Sequence, residues 1–384
     1  MSRMASVILI LCQTATVVVA DDVRSTSNPA DIRAIRLLVE HLGAPQFRDR
    51  EQATRRLKAL GPVVLPILRD ALKHSDPEIR RRSRSLIVLV KKVELAQRLD
   101  LFLKQPDPER DKLIPGWPRY RDTIGRTESA RNLFAQMQKA ESRLFLMSAA
   151  DRKQFAIAFD QRCAELQAAY SRGSRTGFAS TVASLLFLAA DPDFEVVEQT
   201  TNIIANFSNY SEFRSISNAG EMKGSVRALS AAWIGKPNGN GLYQRVNLAM
   251  RNSISAGLTP AIEMVQGQAN GYQLQYGILA IGRFGNKEQL PLLEKLLTNK
   301  SVLSTTRTKN TVTYTCEVRD VALAVLVRLT GQPTAGYGFQ KLSRHSTYLF
   351  SPGSAGFASE EIRQTALKRW IDWKASSKKA IKEK

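Results

Sequence analysis

The 384-residue sequence is poor in cysteine and histidine, with three of each. Three cysteines without a Cys-x-x-Cys spacing exclude a disulfide scaffold and a cysteine-based zinc site. His41, His74 and His345 share no His-x-x-x-His spacing, so no histidine metal pair is encoded either. Acid is scarce relative to base: 35 Asp plus Glu face 56 Lys plus Arg, a formal charge of +21. Glycine (22) and proline (15) are too few for a collagen-like chain. The 7% of aromatic residues and 43% of hydrophobic residues suffice for a large core and lie outside the composition of disordered chains. After the first 20 residues no apolar run approaches the roughly 20 residues a membrane span needs. Gly-x-Ser-x-Gly is missing, and Gly239-Asn240-Gly241 lacks the Lys-Ser or Lys-Thr of a P-loop, which leaves it a flexible loop. No catalytic, cofactor-binding or metal-binding residue is therefore assigned, and no cofactor is expected.

The N-terminus has the form of an export signal over residues 1–20. Arg3 gives a basic start, Ala5 to Leu11 an apolar stretch, and Val18-Val19-Ala20 a small-residue cleavage site before Asp21-Asp22. Gln13, Thr14 and Thr16 interrupt the run and argue against a retained anchor. A lipid on Cys12 would need a small residue where Leu11 stands. The mature chain is thus expected to be soluble outside the cytoplasm, in a periplasm, cell envelope or extracellular space. Cys163 and Cys316 would remain there, either paired once or as two separately buried thiols.

Helical spacing dominates the rest of the chain. Ile32, Ile35, Leu38, Val39 and Leu42 form one stripe closed by Gly43, and Ala53, Leu57 and Leu60 form the next, closed by Gly61. A third helix is expected from Pro62 to Lys73 and a fourth from Pro77 through Val93, with Pro77 in its first turn. The second pair repeats the first at an offset of 30: Arg50, Ala53, Leu57 and Leu60 fall on Arg80, Ser83, Ile87 and Val90. Further helical patterns cover Thr127 to Met147, Ala149 to Tyr170 and Phe178 to Ala190. Lys104 to Gly125, with Pro106, Pro108, Pro115 and Pro118, is expected to be a non-helical connector.

Asp76-Pro77-Glu78-Ile79-Arg80, followed by Ser83 and Leu86-Ile87, resembles the D-P-x-V-R-x-x-A-x-x-L signature of HEAT repeats. Ala280-Ile281-Gly282-Arg283-Phe284-Gly285 with Gln289 to Leu297, and Val318 to Leu326, are similar to other parts of the same repeat. Asp191 to Glu195 opens a degenerate copy in which Glu195 and Glu198 stand where the family has Arg and Ala. The resemblance implies an all-α fold, an α-α superhelix of the HEAT/armadillo type. Its first repeat pair would lie in residues 21–103, the connector in 104–126 and the remaining repeats in 127–375. It also implies that Arg50, Arg80 and Arg319 are structural repeat arginines, each bonded to a nearby aspartate. DNA glycosylases and bilin lyases with HEAT-like repeats share this look, which reflects helix packing and transfers no activity.

Two insertions break the pattern. Residues 301–316 are rich in Thr and Val and alternate around Lys309-Asn310, predicting a β-hairpin. Residues 334–357 form a long loop with Tyr337, Phe339, Tyr348, Phe350 and Phe357, either functional or covering the end of the helical stack. A last helix is expected from Ser359 to Ala375, carrying Trp370 and Trp373, with a basic disordered tail over residues 376–384 after it.

Basic residues are densest on the N-terminal helices. Arg55, Arg56, Arg81, Arg82, Arg84, Lys91 and Lys92 form a candidate partner-binding face. Stacked helix pairs bury their apolar sides against neighbours and leave an extended outer surface, which points to a protein partner and a non-catalytic scaffold. A charge-driven binder of an anionic envelope polymer or membrane surface is the alternative, and an enzyme built on the two insertions comes third. Export argues against chromosomal DNA as the target.

Overall fold

The computed structural model describes residues 29–267, 269–308 and 312–382. The expected export signal and the Lys309-Asn310 turn lie outside the described residues. The chain divides into two compact units, residues 1–100 and 101–384. Both are mostly helical, and among the described residues no helix is long and apolar enough to cross a membrane.

In the first unit α1 spans Pro29–Glu40, α2 Phe47–Leu60 and α3 Leu65–Asp70, and α4 starts at Pro77. The expected stripes form its core: Ile35, Val39 and Leu42, then Ala53 and Leu57, then Leu65 and Leu68, then Ile79, Leu86 and Val90. Two expectations fail here. Leu60 is 46% exposed, because α2 ends at Gly61 in a left-handed turn (φ +68°) and Val64, beyond that turn, fills the core instead. α4 does not stop near Val93 but runs to Lys104. Leu95, Leu99 and Phe102 continue its apolar spacing, and no glycine or proline intervenes before Pro106.

The second unit opens with α5 (Pro108–Asp111) and α6 (Trp117–Ile124), so residues 104–126 are not a non-helical connector. Pro108 and Pro118 stand in the first turns of these helices, where the missing amide has no partner to lose. Trp117 and Tyr120 are buried; they pack with Phe102, Phe134 and Phe187 in one aromatic cluster.

Next come α7 (Glu128–Ala150), α8 (Arg152–Ser171), α9 (Phe178–Ala189), α10 (Glu198–Phe207), α11 (Ser211–Asn218), α12 (Lys223–Ile234) and α13 (Leu242–Asn252). α14 (Leu258–Gln266), α15 (Gly271–Phe284) and α16 (Leu290–Glu294) lead to the hairpin, and α17 (Val318–Leu329) and α18 (Glu360–Lys382) come after it. α9 and α17 are buried on nearly every side, as their mostly apolar sequences require, and neighbouring helices pack around them. In the segment expected to be a degenerate repeat, Asp191 Oδ1 accepts the Asp193 amide (3.0 Å), as Asp76 Oδ1 accepts that of Glu78 (2.7 Å). Helix begins at once after Asp76 but only at Glu198 after Asp191.

The expected hairpin is present: β1 (Val302–Arg307) pairs antiparallel with β2 (Thr313–Glu317), Ser304 opposite Cys316 and Arg307 opposite Thr313. The long loop closes over it. Phe357 exchanges both backbone hydrogen bonds with Thr315 (3.0 and 3.1 Å), and β3 (Arg344–His345) pairs with β4 (Leu349–Phe350) within the loop. Tyr337, Phe350 and Phe357 are buried in one core with Trp370 of α18, so the loop's aromatics cover the helices around α17. α18 continues to Lys382. Residues 376–382 are thus helical and not a disordered tail, since Ser, Lys, Ala and Ile extend beyond Ala375 without a helix breaker. Cys163 and Cys316 are both buried and unpaired.

Candidate functional site

Arg50 and Arg80, the two arginines of the first unit expected to be equivalent, act alike. Arg50 Nη1 donates to the carbonyls of Ala44 (2.7 Å) and Pro45 (2.8 Å). Arg80 Nη1 donates to those of His74 (2.7 Å) and Ser75 (2.6 Å). Each guanidinium thus clamps the turn that precedes its own helix. The expected aspartate partner is replaced by carbonyls, because a turn leaves several of them without amide partners and a charged donor satisfies two at once.

Arg319 differs. It is buried, and pairs with Glu317 (2.6 Å) and Glu360 (2.9 Å), again not with aspartate. Asp320 is taken by Arg363 (2.9 Å) and by the Glu317 amide (2.8 Å). These five charged groups tie β2, α17 and α18 together. Burial lifts the Asp320 carboxyl to about 6 against the pull of its donors, whereas bonds from Gln364 and Arg363 hold the more exposed Glu360 down at about 2.

The candidate basic face divides in two. Arg81 grips Glu78 with two bonds of 2.8 Å. Arg82 reaches Glu78 (2.7 Å), Glu51 on α2 (2.8 Å) and the Thr54 hydroxyl (3.2 Å). Arg81 and then Arg82 hold Glu78 at about 2. Arg82 is thereby held between α2 and α4, whereas the exposed Arg81 pairs with an acid of its own helix. Arg55, Arg56, Arg84, Lys91 and Lys92 are exposed, and no side-chain hydrogen bond or ion pair engages them among the described residues. Phe47, beside Arg50, is 65% exposed on the same unit.

Sequence reasoning missed three features of the second unit. Arg245 is almost fully buried and donates to the carbonyls of Ile234 (2.6 and 3.0 Å), Lys236 and Gly239 (2.8 Å); burial lowers it to about 10. It forms one wall of a cleft of about 270 Å³ beside Glu195 and Lys236. Lys236, lowered by burial, donates to Ala189 (3.2 Å) and Phe194 carbonyls, so both cations of this cleft are engaged by backbone.

The second feature is a cleft of about 710 Å³ between the ends of α15 and α17 and the β3–β4 turn, walled by Arg283, Arg328, Arg344 and His345 with no carboxylate among its lining residues. The third is a tyrosine cluster. Tyr243 donates to the Tyr272 hydroxyl (3.2 Å), Tyr272 lies 3.4 Å from the Tyr276 hydroxyl, and Tyr348 packs edge-on against Tyr276 at 5.1 Å. Tyr272 and Tyr276, four apart on one helix, are a visible signal in the sequence; the other positions are too scattered to announce a site. Among the described residues no group of three His, Cys, Asp or Glu is placed to hold a metal.

No family model and no curated protein matches this chain.

Proposed function

We propose that this chain is an exported, non-catalytic scaffold of a bacterial cell envelope, built as a HEAT-like α-solenoid, whose first unit docks a protein partner. The observation that carries the reading is the matched clamp of Arg50 and Arg80. Two successive helix units bear the same internal bond, which is what a repeat requires, while their outward side chains are left to vary. Exposed Phe47, Leu37, Val63 and Val88 supply apolar contact area on that unit, and aromatic and arginine side chains are enriched at protein interfaces.

A second reading, charge-driven binding of an anionic polymer or membrane surface, is favoured by the five unengaged cations of α2 and α4. Salt separates the two. Capture from an envelope fraction with the full chain as bait, washed at low and then high salt, retains a protein under the first reading. Under the second it releases only anionic polymer or lipid.

A further inference from the structure

The arginine-walled cleft of the second unit goes beyond the docking surface on the first. Its arginines divide by what already engages them. Arg283 is fixed, donating to the carbonyls of Ser346 (3.0 Å) and Thr347 and to the Ser253 hydroxyl (2.7 Å). Arg328 and Arg344 are exposed, with no side-chain hydrogen bond or ion pair among the described residues. Arg328 stands in the last turn of α17, where an arginine commonly serves the terminal carbonyls. Three of the last four carbonyls are already served without it: those of Leu326, Val327 and Arg328 accept the amides of Thr330, Gln332 and Gly331 (3.1, 3.0 and 3.2 Å). Its charge is left for something outside the helix.

The opposite wall is held in place with strain. Leu349 adopts φ +67°, a left-handed conformation that is costly for a side chain of this bulk and persists only where packing enforces it. The packing is against Gly282, where an added Cβ would lie 2.6 Å from Leu349 Cδ2. This seats the β3–β4 turn against α15 and presents Arg344 and His345 to the cleft. His345 Nδ1 accepts the amides of Thr347 and Tyr348 (3.1 and 3.2 Å), which leaves Nε2 as the outward donor. The hydroxyls of Thr334 and Ser346, also in the wall, make no side-chain hydrogen bond among the described residues. Cationic forks, neutral donors and no opposing carboxylate are the chemistry that selects a multiply charged oxyanion.

We propose that this cleft binds the phosphoryl oxygens of a phosphate-bearing anion, with Arg328 and Arg344 as its direct ligands and the anchored Arg283 as the fixed wall behind them. The volume and open mouth leave room for whatever bears the phosphoryl group, a small ester or the chain of a phosphate-containing polymer.

Titration calorimetry of the full chain at about 0.1 M salt, with pyrophosphate and with a short linear polyphosphate as probes, tests this. Arg328→Gln/Arg344→Gln should weaken binding about tenfold or more, while Arg55→Gln/Arg56→Gln/Arg84→Gln should leave it unchanged. Circular dichroism should show both variants folded, since none of the five side chains makes a bond to lose. Binding of pyrophosphate identifies a small ligand, and binding of polyphosphate alone a chain-borne one; either result, lost in the cleft variant, supports the site. If neither probe saturates, or the N-terminal variant loses as much as the cleft variant, the proposal is overturned.

Discussion

Arg50 and Arg80 make the same pair of hydrogen bonds thirty residues apart, each to the carbonyls six and five positions before it. The equivalence is one of bonding and not of sequence, since Ala44-Pro45 and His74-Ser75 share no residue. A guanidinium that satisfies two turn carbonyls fixes the angle at which the next helix departs, and doing so twice builds two like units.

Arg80→Ala is expected to destabilise the protein by about 1–3 kcal/mol, the loss of charge-assisted bonds to carbonyls left without another partner. Arg55→Ala, on the same unit but unbonded, should stay within about 0.5 kcal/mol of the wild type. Denaturant unfolding monitored by far-ultraviolet circular dichroism distinguishes them; equal effects would mean that the clamp has no structural role.

Stability should respond to pH in two opposed ways. Asp320 is raised from 3.8 to about 6, so the folded state binds its proton more tightly than the unfolded chain does. The stability this contributes is complete below about pH 4 and is lost as pH rises through about 6. Glu360, lowered to about 2, contributes the reverse: its share is present above about pH 4.5 and is lost as pH falls towards 2. Unfolding curves of wild type and Asp320→Asn should therefore approach or cross between pH 4 and 6, the wild type losing ground as pH rises. Parallel curves across that window would show that Asp320 titrates as an ordinary carboxylate.

Gly282→Ala should cost about 1–3 kcal/mol, because the methyl group would sit 2.6 Å from Leu349 Cδ2 and 2.9 Å from Val325 Cγ1. Gly224→Ala, where an added Cβ meets nothing within 4 Å, should stay within about 1 kcal/mol of wild type. Thermal melts of the two variants check the contrast.

Burial raises both thiols, Cys316 to about 12. Neither should react with a thiol reagent in the native protein at pH 8, and both should react in denaturant. Intact-protein mass should not change on reduction. A gain of two hydrogens would mean that Cys163 and Cys316 pair.

The helices are legible in the sequence because their apolar residues recur at the helical period: Ile35, Val39 and Leu42, or Leu65 and Leu68, are core both by spacing and in the structure. The hairpin is legible from Thr and Val alternation. The misread connector and the misplaced Leu60 share a cause, which is that proline and glycine act according to their place in an element. Pro108 and Pro118 have the look of breakers and in fact begin helices. Leu60 falls inward by period alone, although the turn at Gly61 ends the helix there.

The surfaces are harder to read. The charge of α2 and α4 is plain, but a linear sequence does not reveal that Glu78 and Glu51 already engage Arg81 and Arg82. The arginine-walled cleft draws Arg283, Arg328 and Arg344 from three separate segments, and only folding brings them together.

The most direct measurement is the capture of envelope components by the full chain, eluted in steps from about 0.1 to about 1 M salt, over which the screening length falls from about 10 to about 3 Å. A scaffold with an apolar docking surface should keep one protein through the last step, and should lose it when Phe47 is replaced by Asp. Release of everything bound by the first steps, with Phe47→Asp behaving as wild type, would contradict the scaffold reading.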